Sequence, residues 1–390
     1  MILLRLAAVI FLQTHLVAQV SRPAYLVPII DTDFGSEVTR ITGDPGTPIR
    51  NIDSVWNEVA RHQYSKTAVW NADQSLLLLS RHDGFPSKLF LDGTTYEPLF
   101  GRNTIPGSEI RWHPTEPDRM VYVKDAAIGY WNVREDTVEV IAALGEGYAE
   151  FHIGPWEGNL SYDGRMIVVE GKKDGERIAF AYDLKEKKKY PDLSFEIERL
   201  DWVSISASGK YIVLNGSIEG GVPDQTQVFD LDGNEVGDLW AEAGRPSHYD
   251  LTLDADGGDI AVGVSKVKPD DGRVIKRRLR DGKITVLTDG GYADHTSARN
   301  VDRPGWVYVT YQHPGSTWPP YWNEVVAVKL DGSMTVERIA KLHAERTDYL
   351  TEAQAVPSPD GQRVLWAGSW HAELGRPVGA FVAKRVGKEK

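Results

Sequence analysis

His62 and His82 stand twenty residues apart, each directly preceded by an arginine (Arg61, Arg81), in the stretch ARHQYSKTAVWNADQSLLLLSRHDG. Imidazole titrates near neutrality and can take or give a proton. A guanidinium pairs a carboxylate in a forked geometry. The two together suit removal of a proton next to a carboxylate. The arginine neutralises the acid and lowers the cost of an enolate-like intermediate, while a histidine or tyrosine takes the proton. On a uronate sugar that proton is on C5, and departure of the C4 oxygen completes a β-elimination. The rival chemistry is hydrolysis by paired carboxylates, for which Asp83, Asp294, Asp348 and Glu352 are available.

Such residues need a scaffold that brings distant segments together. A turn of small and acidic residues recurs with a period of about 45 residues. Its instances are WNADQS from Trp70, HPTEPD from His113, SYDGR from Ser161, SASGK from Ser206, DADGGD from Asp254, NVDRPG from Asn300 and SPDGQ from Ser358. An apolar, β-rich run follows each one, such as LLLLS, MIVVE or WVYVT. A unit of about 45 residues with four short strands is a propeller blade. The pattern predicts an all-β chain forming a seven-bladed β-propeller, closed so that no sheet edge is left free. SEVTRIT, near the N-terminus, is expected to add the outermost strand to the blade containing GAFVAKRV. With no linker, residues 19–390 read as one domain.

In a blade the inner strand runs into the turn and the second strand runs back. The turns therefore mark one face of the disc. Segments before inner strands and after second strands lie on the other. This places six of the ten histidines on one face: His62, His82, His152, His248, His295 and His371. Tyr148, Tyr249, Arg245 and Arg299 are candidates there for base, acid and carboxylate neutralisation beside His62 and His82. Arg61, Arg81 and Lys66 are candidate substrate contacts. Trp318, Tyr321 and Trp322, beside Pro319 and Pro320, are rigid aromatics suited to stacking on sugar rings. His248 and His295, with Glu352 or Gln354, form a candidate site for Zn²⁺, Mn²⁺ or Ca²⁺. His113 and Arg165 fall in turns and read as surface residues.

The formal net charge is −12 and there is no cysteine. The charge argues against a nucleic-acid partner. It also disfavours an anionic substrate unless basic residues gather at one place. No cysteine means no disulfide and no thiolate metal site. The N-terminal MILLRLAAVIFLQTHLVAQ carries one positive charge, a short apolar core and small residues at Val17-Ala18. It reads as a signal peptide over residues 1–18, hence an exported, periplasmic or secreted protein. No later segment is suited to spanning a membrane, and a monomer is expected.

DTDFGSEVTRIT, followed by HQYSK and WNADQSLLLLS, resembles the start of the oligogalacturonate lyases. GRPSHYDL and DHTSARNVDRPGWVYVTY fall where that family carries functional histidines. The first-blade histidine pair also resembles that of the propeller ulvan lyases. The resemblance implies a seven-bladed propeller that eliminates across uronate linkages, with a sulfated, ulvan-like polysaccharide among the expected substrates. It implies catalytic or substrate-contacting roles for His62 and His82, and metal-binding roles for His248 and His295. Where oligogalacturonate lyases carry a His-x-His pair before the final turn, this chain reads Glu352-Ala353-Gln354. The competing readings are a non-catalytic propeller like that of the TolB family, which the repeats fit equally well, and a glycoside hydrolase on the same fold.

Overall fold

The structure is a computed structural model. It describes residues 20–385 apart from 108, 156, 194, 196, 198, 218–224, 241–243, 313–318 and 373–374. The expected signal peptide and Trp318 lie outside the described residues.

The chain is a seven-bladed β-propeller. Each Ser/Asp-type turn closes on its own side chains. In SYDGR, the Ser161 hydroxyl donates to Asp163 at 2.5 Å and accepts the backbone N–H of Met166 at 2.9 Å, while Asp163 accepts that of Arg165 at 3.0 Å. Ser358 and Asp360 repeat the arrangement in SPDGQ. Gly164 supplies the positive φ of 73° that the turn needs. A Cβ there would also strike the His113 ring at 2.2 Å. His113, expected on the surface, is in fact only 4% exposed. It is held under this neighbouring turn with its ring edge-on to Tyr130.

Blade 1 holds Leu76–Leu79, Lys88–Asp92 and Pro98–Arg102, with Trp70 bridged to Leu77 as a minimal inner strand. A separate two-stranded ribbon, Ala60–Arg61 with Arg81–His82, caps it. Blades 2, 3, 5 and 6 have four strands each, with inner strands Glu109–Trp112, Tyr148–His152, Ser247–Leu253 and His295–Ser297. Blade 4 has Arg199–Ile205, Tyr211–Ser217 and Gln225–Asp230, and Trp240 bridges to Thr226 in place of a fourth strand. In blade 7, Val356–Pro357, Arg363–Gly368 and Gly379–Arg385 are joined by Ser36–Arg40, paired from Ser36↔Arg385 to Arg40↔Phe381. The expected closure is therefore present, and Ile29–Asp31 adds a fifth, outer strand.

Each sheet is covered on both faces by its neighbours, so its strands are apolar runs rather than alternating ones. The core lies between blades. One cluster joins Val121 and Val123 of blade 2 to Ile167, Val169 and Phe180 of blade 3. Another joins Tyr308 and Val325 of blade 6 to Trp366 and Phe381 of blade 7.

Three inner strands break register near the face opposite the turns, at Ala149/His152, Leu200/Trp202 and Ser247/Asp250. Such bulges re-aim side chains at a rim. His248 sits in one of them with a φ of 44°, and Gln354, just ahead of the blade 7 inner strand, has a φ of 45°. Positive φ at non-glycine residues is strained, and such strain clusters at functional sites.

Candidate functional site

The rim opposite the turns brings together residues from blades 5, 6 and 7. The imidazoles of His248 and His295 stack with centroids 4.6 Å apart and planes 12° from parallel. Ligand atoms of His248, Asp294 and His295 all lie within 4.8 Å of one another. His248 donates its Nδ1–H to the Asp294 carbonyl oxygen at 2.6 Å, which leaves its Nε2 lone pair unprotonated. Burial first, then the neighbouring His295, pushes His248 down to about 4, so it is neutral across the physiological range. His295 donates Nε2–H to Glu352 at 3.0 Å, and its Nδ1 is buried with no hydrogen-bond partner.

Behind these rings lies a charged layer. Arg346 bridges Asp294 at 2.8 Å and Glu352 at 2.5 Å. The Gln354 amide donates to Glu352 at 2.9 Å. Burial acts to raise the Glu352 carboxyl, but hydrogen bonds from His295 and Gln354 and the charge of Arg346 hold it below its ordinary range. Lys266 stands in the field of Asp294, Asp271, Arg346 and Arg245. Burial first, helped by the two arginines, outweighs the two carboxylates and lowers its ammonium below the usual lysine range. The Tyr64 ring meets His295 edge-on, with centroids 5.4 Å apart.

The fit of this donor set to a divalent cation can be judged from its chemistry. Two imidazoles and one carboxylate form a borderline N/O set suited to Zn²⁺ or Mn²⁺. His295, oriented by the Glu352 carboxylate and presenting a buried, unpartnered Nδ1, has the carboxylate–histidine arrangement that typically backs a metal ligand. The residues fit. The expected set is altered: Asp294, and not Glu352 or Gln354, joins the two histidines. Glu352 and Gln354 stand behind them, engaged with His295, Arg346 and Arg61.

The blade 1 ribbon aligns Ala60 with His82 and Arg61 with Arg81, as the hairpin pattern predicts. It does not bring the two rings to a common cleft. His62 is fully buried and donates Nε2–H to the Gln354 carbonyl at 2.6 Å. His82, 5% exposed, donates Nδ1–H to the Pro86 carbonyl at 2.9 Å, edge-on to Trp56. Burial lowers the pKa of both imidazoles. Arg61 is also fully buried, and its N–H groups donate to the carbonyls of His62, Leu350 and Glu352 and to the Gln354 side chain at 2.6 Å. Arg61 and His62 bind blade 1 to the segment carrying Glu352 and Gln354, and His82 closes the loop that follows it, rather than facing a ligand.

The remaining candidates disperse. Lys66, 2% exposed, reaches from blade 1 into the centre of the ring. There it pairs with Glu157 and lies 3.8 Å from the Trp202 ring centroid, near Tyr249 and Tyr64. It pins the channel instead of contacting substrate. Tyr249 is buried, its hydroxyl 2.9 Å from that of Thr226. Tyr148 donates to Asp192 at 3.0 Å on blade 3, away from the stacked histidines. Arg245 donates to Asn215 at 3.3 Å, and its charge is felt at Lys266. Arg299 falls at the turn end of its strand. It binds Asp250 in a bidentate fork of 2.9 and 3.1 Å and lines a small cavity with Trp70, His113 and Tyr162. His152 pairs with Glu109 at 3.1 Å, and His371 packs edge-on to His343. Asp348 caps the short helix Tyr349–Thr351 and pairs with Arg376. Trp322 is half-buried and its carbonyl accepts from Lys341. Arg346, Lys266 and Tyr64 were not among the expected residues, and no local pattern marks them.

No protein-family model matches the chain, and no curated protein matches it. Among solved structures, the oligogalacturonate lyase of Vibrio parahaemolyticus aligns with TM-score 0.60 and 13% identity, over 93% of this chain and 97% of that one. An oligogalacturonate lyase in complex with manganese aligns with TM-score 0.61 and 14% identity, over 93% and 96%. The likeness at these identities is one of fold: the chain has the propeller architecture of those lyases.

Proposed function

We propose that this protein is an exported β-propeller polysaccharide lyase that cleaves uronate-containing chains, sulfated ulvan-like ones included, by β-elimination. The observation that carries the reading is the gathering of Lys266 and Arg346 around the His248–Asp294–His295 cluster on one rim of a chain with net charge −12. A divalent cation held by that donor set would give this rim the positive charge that an anionic sugar needs. The likeness of fold to the oligogalacturonate lyases, one of them manganese-bound, supports the same reading.

In this reading His248, Asp294 and His295 hold a divalent cation, which when bound supplies positive charge to the uronate carboxylate and acidifies the C5–H. Arg346 adds fixed charge beside that carboxylate. Lys266, whose ammonium is destabilised by burial, takes the C5 proton in its neutral form. The C5–H electron pair becomes the C4–C5 double bond, the C4–O bond breaks, and the departing oxygen takes a proton from water. Hydrolysis is disfavoured by the carboxylates themselves. Asp294 and Glu352 are both engaged by Arg346, and Glu352 also by His295 and Gln354, so neither carboxylate stands free to work as an acid–base pair across a glycosidic bond.

The test is incubation of the purified, metal-replete protein with oligogalacturonate, ulvan, alginate and a neutral glucan, following the absorbance of the unsaturated uronate product. Growth of that signal on a uronate polymer, lost on chelation and restored by Mn²⁺ or Zn²⁺, supports the reading. New reducing ends without unsaturation would replace it with hydrolysis. Export is tested separately, by N-terminal sequencing of the mature protein for cleavage after Ala18.

A further inference from the structure

Most described arginines of this acidic chain are paired: Arg111 with Glu109, Arg134 with Asp118, Arg303 and Arg385 with Glu337, Arg338 with Glu324. Arg81 and Lys88 are different. No described carboxylate lies within 4.0 Å of either head group. They stand at the two ends of one loop on the rim opposite the turns, between the strands Arg81–His82 and Lys88–Asp92. Each is partly buried, so their mutual repulsion is incompletely screened. Lys88 is held below the ordinary lysine range by burial first and Arg81 second. Two neighbouring, half-buried cations without a counter-charge raise the free energy of the ligand-free protein and favour an anion between them.

The surroundings are shaped for one. Lys88, Ser80, Gln63 and Thr67 line a cavity of about 120 Å³ between blades 1 and 2, with Ile105 and Trp112 among its apolar walls. Arg81 donates Nε–H to Gln63 Oε1 at 3.1 Å, which fixes its guanidinium beside this cavity. The same guanidinium lies 5.3 Å from the ring centroid of Tyr349, whose residue is 47% exposed. Glu109 also lines the cavity, but its carboxylate is engaged by Arg111 at 2.9 Å and His152 at 3.1 Å. The helix carrying Tyr349 leads within three residues to Glu352, so Arg81 and the stacked histidines adjoin one segment of blade 7.

We infer that the cleft between blades 1 and 2 is a second anion subsite, in which Arg81 and Lys88 bind the carboxylate or sulfate of a sugar while Tyr349 offers its ring to the pyranose face. The inference rests on the polysaccharide reading above for the nature of the ligand. It is separate from that reading's chemistry, because it concerns binding by Arg81 and Lys88 and none of the residues of the metal-type cluster.

Calorimetric titration tests it, using three probes: de-esterified oligogalacturonate, a sulfated oligosaccharide without uronate, and a neutral oligosaccharide of the same length. The proteins are wild type, Arg81→Gln, Lys88→Gln, the double variant, and Arg134→Gln as a turn-side charge control. Each single variant is expected to weaken binding of an anionic probe on the order of tenfold, as for loss of one charge-assisted contact. The double variant should weaken it further and lose most of the salt dependence, with Arg134→Gln unchanged. The carboxylate and sulfate probes identify which anion the subsite prefers. A double variant that binds both anionic probes within about twofold of wild type, or a wild type that binds neither, would overturn the subsite. Wild type that binds through Arg81 and Lys88 but forms no unsaturated product would support the subsite and remove the lyase chemistry.

Discussion

Two groups of histidines occupy the same rim of this propeller and have opposite environments. In the blade 1 ribbon, His62 and His82 each spend a ring N–H on a backbone carbonyl, at 2.6 and 2.9 Å, and are closed off from solvent. Linked to His62 through Gln354 and Glu352, His248 and His295 lie against each other with the Asp294 carboxylate in the same cluster, and Lys266 and Arg346 stand near it. A single element delivers the first pair, whereas the second converges from blades 5 and 6, with its support from blade 7. Histidines paired by a local hairpin solve a local problem, satisfying buried carbonyls and tying blade 1 to its neighbours. Histidines paired by convergence, in strained backbone, with an unpartnered buried nitrogen, have no such structural task.

Several substitutions sharpen or break this contrast. The largest effect belongs to Asp294→Asn. Removing the carboxylate charge from the cluster should lower elimination by about 10²–10⁴-fold, the range typical for a positioned polar group in catalysis. It should also abolish divalent-metal binding measured by calorimetry. Lys266→Met should lose a comparable factor in kcat while leaving metal binding intact, which separates the proton acceptor from the metal donors.

Next in size is Arg61→Ala. Four acceptors lose their donor in a buried setting, and stability should fall by about 3 kcal/mol in denaturant titration. Part of any loss of activity should return at lower temperature, because the defect is in folding. His62→Gln keeps a donor for the Gln354 carbonyl. It should cost about 1 kcal/mol of stability and change turnover by less than tenfold.

A pH response, silent near neutrality, belongs to His343, stacked 4.3 Å from Trp370. Burial first, then His371, pushes it down to about 4. Its ordinary value is about 6.5, so as pH falls the unfolded chain takes up this proton first. The stabilisation is therefore complete above about pH 6.5 and is lost progressively toward pH 4, at up to about 1.4 kcal/mol per pH unit. His343→Gln should flatten that limb of a stability-versus-pH curve, and an unchanged limb would place the acid sensitivity elsewhere.

The architecture was legible in the sequence because its cause is local and repeated. Each Ser/Asp-Gly turn carries its own hydrogen bonds, and the apolar strands follow from sheets covered on both sides. The closing strand was legible too, since Ser36–Arg40 has no other edge to complete. The face on which a residue lies could be read from its place in the blade, but its direction could not. Arg299 follows the inner strand of blade 6 closely enough to fall at the turn end, beside Trp70 and His113. Lys66 points down the channel because Glu157, Trp202 and Tyr249 offer it a counter-charge and an aromatic enclosure. Asp294 is adjacent to His295 in the chain, yet only the bulge at His248 makes it part of the cluster. Arg346 and Lys266 lie in loops whose sequence, ERTDYL and SKVKP, resembles any solvated stretch. Their roles come from burial and from carboxylates supplied by other blades.

The most direct test places both histidine groups on one assay. Initial rates of unsaturated-product formation would be compared for wild type, Asp294→Asn and His62→Gln, on the uronate polymer that wild type cleaves best, with circular dichroism checking each fold. The account predicts a loss of at least about a hundredfold for Asp294→Asn and a rate within tenfold of wild type for His62→Gln. The reverse pattern, with His62→Gln inactive and Asp294→Asn near normal, would return the chemistry to the blade 1 ribbon and contradict the account.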